Sequence, residues 1–144
     1  MFSNSCEYGL RAILFIAKQT TQNNKVSLST ISDEINSPQA FTAKVLQKLT
    51  RNKLVKSIKG PYGGFIIEKD KMDTITLREL VKIFDGETVY TRCGLGLSDC
   101  NEKLPCPIHH KFKEIREDLK NMLENSTLSG LLHDLDADLL RLKR

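Results

Sequence analysis

Three of the chain's four cysteines and two of its three histidines fall within residues 93–110, CGLGLSDCNEKLPCPIHH. The ligand-type residues run Cys93-x6-Cys100-x5-Cys106-x2-His109, with glycines, Ser98, Asp99, Pro105 and Pro107 between them. Thiols so placed can hold a metal, form a disulfide, or pack as small apolar side chains. Glycine and proline favour an irregular loop, which can turn several sulfurs inward where a regular helix or strand could not. Iron-sulfur clusters take four protein ligands, mainly thiolates, with histidine replacing cysteine at some sites. Cys93, Cys100, Cys106 and His109 meet that count. The CxxC hook usual in structural zinc sites is missing, which leaves zinc as a weaker alternative, alongside thiol switching and plain structural cysteines. His110 reads as a solvated neighbour able to exchange roles with His109, and Cys6 as a core residue of the first helix, with an alternative ligand or disulfide role left open.

Such a loop needs a scaffold, and 144 residues supply one domain with an appendage. Hydrophobic residues make up 40% and charged residues 28%, which suits a globular chain with a real core rather than a disordered one. Apolar stretches are broken by charge well short of the ~20 residues of a membrane span, and MFSNSCEYGLR lacks the pattern of a secretory signal. The expectation is a cytoplasmic protein, where reducing conditions favour metal-binding or redox-sensing cysteines over a disulfide framework.

The pattern predicts a mainly α fold with a small β-hairpin wing. Residues 6–20 place Leu10, Ile13, Leu14 and Ala17 at helical spacing. Ser27 starts a second helix with Leu28, Ile31 and Ile35 on one face. Ser37 as N-cap and Pro38 at the first helical position open a third, whose buried stripe is Phe41, Val45, Leu46 and Leu49. LVKSIKGPYGGFIIEKD alternates around a glycine-rich turn and reads as a hairpin with Lys59 and Tyr62 at its tip. Thr76 caps a further helix ended by Gly86. Together these make a winged helix-turn-helix domain over 1–86. A cysteine-rich loop follows over 87–110. Ile108, Phe112, Ile115, Leu119 and Met122 then repeat with coiled-coil spacing, predicting a dimerisation helix over 107–125, and an amphipathic tail covers 126–144.

Net charge is only +4, but its distribution is uneven: residues 35–67 hold six basic residues, Lys44, Lys48, Arg51, Lys53, Lys56 and Lys59, and no acid. Such a segment suits a phosphate-facing surface. In a helix-turn-helix the leading turn of the second motif helix meets base edges, so Gln39, Ala40, Thr42 and Ala43 are the candidate readers, with Ser37, Lys44, Lys48 and Arg51 on the backbone and Lys59 and Tyr62 on the wing.

The run CEYGLRAILFIA, the helix and wing PQAFTAKVLQKLTRNKLVKSIKGPYGGFII, the helix TLRELVKIFDG and the three-cysteine loop together resemble the winged-helix bacterial transcription regulators that include IscR and NsrR. The resemblance spans roughly residues 1–135. It implies a homodimer on double-stranded promoter DNA whose affinity follows the state of a cluster, 2Fe-2S favoured over 4Fe-4S. By position it makes Cys93, Cys100 and Cys106 the cluster cysteines. For the fourth ligand it offers His109, or alternatively Glu7 of the other subunit, and His109 is favoured because imidazole is the commoner substitute for a thiolate. Two features depart from the resemblance: the first inter-cysteine spacing is six residues rather than five, and Cys6 is an additional thiol. A cluster-free regulator of the same fold, controlled by a thiol switch or a partner, is the alternative. A small iron-sulfur electron carrier is a weaker one, since no nucleotide loop or catalytic constellation accompanies the cysteines.

Overall fold

The computed structural model of the protein describes residues 1–135 and 142. Of the expected tail, 136–141, 143 and 144 lie outside the described residues. Helix α1, Asn4–Thr21, is started by Ser3, whose hydroxyl accepts from the Cys6 amide, with Glu7 in its first turn and Lys18 in its last, as the helix dipole favours. Helix α2, Leu28–Ile35, is capped by Ser27 in the same manner and ends on Asn36 in the left-handed conformation. Helix α3 spans Gln39–Arg51. Its start corrects the expectation: Pro38 takes the cap position, no side chain caps the helix, and the Ser37 hydroxyl instead accepts from Thr42 Oγ1 at 3.0 Å.

The wing pairs β1, Lys56–Ile58, with β2, Gly64–Ile66, antiparallel, with Ser57 opposite Phe65. Gly63 is obligatory in the turn, because a Cβ there would lie 2.0 Å from the Ile58 carbonyl oxygen. The stretch after α1 leads into Val26, which exchanges two backbone hydrogen bonds with Phe65 and ties the wing to the helical body. Helix α4, Leu77–Asp85, is capped by Thr76 and closed by Gly86. A single-turn helix α5, Thr88–Thr91, begins the segment expected to be loop. Helix α6 covers His109–Glu124 and α7 covers Leu128–Leu135.

The core is built on α1, with Ile13 and Ile16 against Ile31, Ile35, Leu46, Leu49 and Leu80, all buried. Leu128, Leu132 and Leu135 of α7 join that same core. Backbone bonds from Leu77 to Ser126, Leu128 to Ile75 and Ser129 to Met72 hold the returning chain. The segment expected as a separate tail therefore closes the winged-helix core over its described part, since an eight-residue amphipathic helix has nowhere else to bury its leucines. No described helix is long and apolar enough to cross a membrane.

The stripe of α6 that faces inward is displaced from the predicted seam. His109, Arg116 and Leu123, seven residues apart, are its buried residues, and Phe112 and Leu119 are half-buried beside them. Ile115 and Met122 point outward, 60% and 50% exposed, with Ile108 half-buried at the helix start. The expected seam is thus the outer edge of α6.

Candidate functional site

Local turns bring the cysteine loop back on itself. The Gly96 amide donates to the Cys93 carbonyl at 3.0 Å and the His109 amide to the Cys106 carbonyl at 3.0 Å. Gly94 lies so close to α6 that a Cβ would meet the Phe112 ring at 2.9 Å. The four expected ligands then stand two and two. Cys93 Sγ lies 3.9 Å from Cys106 Sγ, and Cys100 Sγ lies 3.3 Å from His109 Nδ1. All four cysteines are free thiols. Backbone amides of Leu95 and Leu97 face the Cys93 sulfur, and with the Cys106 thiol they hold it below the ordinary thiol range, as hydrogen bonds to a thiolate do.

These residues fit a thiolate-held metal group. Two thiolates on one tetrahedral metal with bonds of ~2.3 Å stand ~3.8 Å apart, close to the Cys93–Cys106 separation. His109 is buried, its Nδ1 is on the Cys100 sulfur, and its Nε2 has no hydrogen-bond partner. Among the described residues no three Cys, His, Asp or Glu side chains converge as a single metal-ion site, so the donors form two pairs rather than one cage. His110 is exposed beside His109, its ring edge-on at 5.1 Å. Glu7 is exposed on α1. Cys6 is fully buried against Val81 and Leu123, and burial together with Asp85 pushes its thiol up to about 12, which leaves it a core residue.

The residue that the pattern of apolar positions did not single out is Arg116. Its guanidinium, 8% exposed, donates from Nη1 to the Arg92 carbonyl at 2.5 Å and from Nη2 to the Cys100 sulfur at 3.2 Å, and it lies 5.5 Å from the Phe112 ring centroid. Its position seven residues after His109 on the same helix face was the available signal. A cavity of about 310 Å³ opens beside it, lined by Tyr90, Cys100, His109, Lys113 and Lys120 among others. The three buried side-chain atoms without a hydrogen-bond partner among the described residues are Tyr90 Oη, His109 Nε2 and Arg116 Nε, all on residues lining this cavity. At its rim Lys113 pairs with Glu102 and holds that carboxyl below its ordinary range.

The basic face lies on α3 and the wing. Gln39, Ala40, Lys44 and Arg51 are exposed, Ala43 and Ser37 half-buried, and Lys59 and Tyr62 exposed at the wing, Tyr62 at 89%. Lys25 Nζ reaches the Tyr62 carbonyl at 3.4 Å and braces the tip. One expected base contact is placed differently. Thr42 is fully buried, its hydroxyl donating toward Ser37 and Pro38, so it shapes the start of α3 and cannot face a groove. Lys48 is exposed but lies over the Phe84 ring at 5.4 Å, on the side of α3 that faces α4.

The family model Rrf2, described as an iron-dependent transcriptional regulator, matches residues 2–134. The HTH-type transcriptional regulator IscR of Klebsiella pneumoniae strain 342 is 28% identical over 127 residues, covering 88% of this chain and 76% of that protein. Among solved structures, CymR, the global cysteine regulator of B. subtilis, superposes with a TM-score of 0.75 at 24% identity, over 91% of this chain and 95% of that one. IscR of T. potens gives a TM-score of 0.72 at 18% identity, over 97% and 91%. The last two likenesses establish the mainly helical winged fold.

Proposed function

The chain belongs to the Rrf2 family of transcriptional regulators, and from that premise we propose that it is a homodimeric repressor or activator whose promoter affinity is set by an iron-sulfur cluster at Cys93, Cys100, Cys106 and His109. The observation that carries this reading is the two-and-two placement of the donors, Cys93 with Cys106 at 3.9 Å and Cys100 with His109 at 3.3 Å. Two ligands to each iron is how a 2Fe-2S cluster divides its four, and histidine serves in such sites. When bound, the cluster supplies a group that can be oxidised, nitrosylated or lost. The members of the family are regulators, not enzymes, and no catalytic role is assigned to the chain.

The protein's own residues explain how the loop could bear on DNA. Gly94 lies against Phe112, and Cys100 against His109 and Arg116, so the loop's order is tied to the first two turns of α6. The exposed edge of α6, Ile108, Ile115 and Met122 with Phe112 and Leu119 beside it, is the surface we assign to the second copy. A two-fold dimer sets its two recognition helices about one DNA turn apart, ~34 Å. On each, Gln39, Ala40 and Ala43 read bases, Lys44 and Arg51 hold phosphate, and Lys59 and Tyr62 extend the contact along the wing. A loop that changes the pose of α6 then changes the spacing of the two heads, and couplings of this kind change affinity by roughly 5- to 150-fold.

The test is an anaerobic visible absorption spectrum of the full chain with iron and acid-labile sulfide counts, followed by promoter-DNA shift assays on the loaded and stripped protein. Matched iron and sulfide, lost in Cys93→Ala, Cys100→Ala and Cys106→Ala separately, together with a change in DNA affinity on stripping, are expected. A colourless, iron-free protein that binds DNA would instead support the thiol-switch reading, which the nearness of the Cys93 and Cys106 sulfurs favours as second choice. Oxidation would then consume those two thiols together.

A further inference from the structure

Arg116 is the one buried cation in this region without a carboxylate: among the described residues none lies within ion-pairing distance of it, and Glu102 on the cavity rim is paired with Lys113. A permanently charged guanidinium taken out of water is unfavourable unless an opposite charge comes with it. Its neutral partners, the Arg92 carbonyl and the face of Phe112, solvate the charge without balancing it. Its remaining partner is the Cys100 sulfur at 3.2 Å, and its Nε is left buried and unbonded beside the cavity that Cys100 and His109 also line.

We propose that Arg116 is the built-in counter-charge of the cluster site, a positioning residue that donates to the Cys100 sulfur and balances the net negative charge of a thiolate-ligated iron-sulfur group. This rests on the reading of the function above. Iron held by three thiolates and bridged by sulfide is net negative in each of its common oxidation states, so a fixed cation beside it is stabilising when the group is bound and unbalanced when it is not. The fork geometry matters as well: Nη1 grips the carbonyl immediately before Cys93 and Nη2 grips Cys100, so one side chain of α6 holds both ends of the first inter-cysteine segment.

A residue with a purely structural role stabilises both forms of the protein, whereas a counter-charge stabilises only the loaded form, and that difference of sign is the test. Thermal midpoints of wild type, Arg116→Met and Arg116→Lys are measured on the full chain, stripped and anaerobically reconstituted. Stripped Arg116→Met should melt above wild type by about 2 to 4 °C, and reconstituted Arg116→Met below it by a similar amount. A chelator should bleach the visible bands of Arg116→Met about tenfold faster than those of wild type, with Arg116→Lys within about threefold because it keeps the charge. If Arg116→Met melts lower in both forms, or fails to fold when stripped, Arg116 is structural and the proposal is overturned while the cluster stands. Wild type that takes up no iron and sulfide overturns the cluster reading itself, and this proposal with it.

Discussion

In the winged-helix half, polar groups find their partners in the nearby chain: the hydroxyls of Ser3, Ser27 and Thr76 each accept an amide at a helix start, and Thr20 takes the Ile67 amide inside the core. In the segment from Tyr90 to Arg116 three buried polar atoms have no hydrogen-bond partner, and one buried cation no counter-ion, among the described residues. The two regions pack on each other through α4 and α6, so the contrast falls within one folded body. It distinguishes a part folded for its own stability from a part whose polar groups are arranged for something outside the chain. Regulators need both, since the reading head must stay rigid while the sensor changes state.

The contrast can be strained from either side. The largest effect is expected from ending the chain after Asn125, which removes Leu128, Leu132 and Leu135 from the core that α1 organises. At about 2 to 5 kcal/mol for each lost leucine this is as large as a typical domain's whole stability, and urea titration followed by circular dichroism should show no cooperative transition. Next comes Ile115→Glu with Met122→Glu on the outward edge of α6: sedimentation should show monomers, while the urea transition of the monomer moves by less than ~0.5 kcal/mol, because both side chains already meet solvent. A matched pair gives the smallest and sharpest comparison. Thr76→Ala removes a cap and should cost about 1 kcal/mol, whereas Tyr90→Phe in the stripped protein removes a hydroxyl with no partner and should cost nothing measurable. A Tyr90→Phe cost as large as that of Thr76→Ala would erase the distinction between the regions.

How legible each region is in the sequence follows the same division. Ser27, Thr76, Gly86 and the glycine-rich wing are short-range signals, and the structure carries out each of them, so helices, hairpin and their order are readable from neighbours a few residues apart. The departures are tertiary. Ser37 and Thr42 satisfy each other instead of capping and reading, because the tight turn from Asn36 brings their hydroxyls together. An α6 with apolar residues on two adjacent edges leaves the choice of buried edge undetermined, and the polar demands of the loop decide it by drawing His109 and Arg116 inward. The cysteine spacing marks the candidate ligands but gives no sign of the buried Arg116 beside them, since an arginine among other charged residues on a helix carries no local mark of burial.

The return of α7 has a consequence for the protein's making. A chain is synthesised from its N-terminus, so all four cysteines emerge before the leucines that complete the core of the reading head. The nascent winged-helix core therefore remains unfinished until the cysteine loop has been made, and is completed only when α7 folds back across α1. Order of synthesis thereby places the cysteine loop in the cell ahead of the completed winged-helix core.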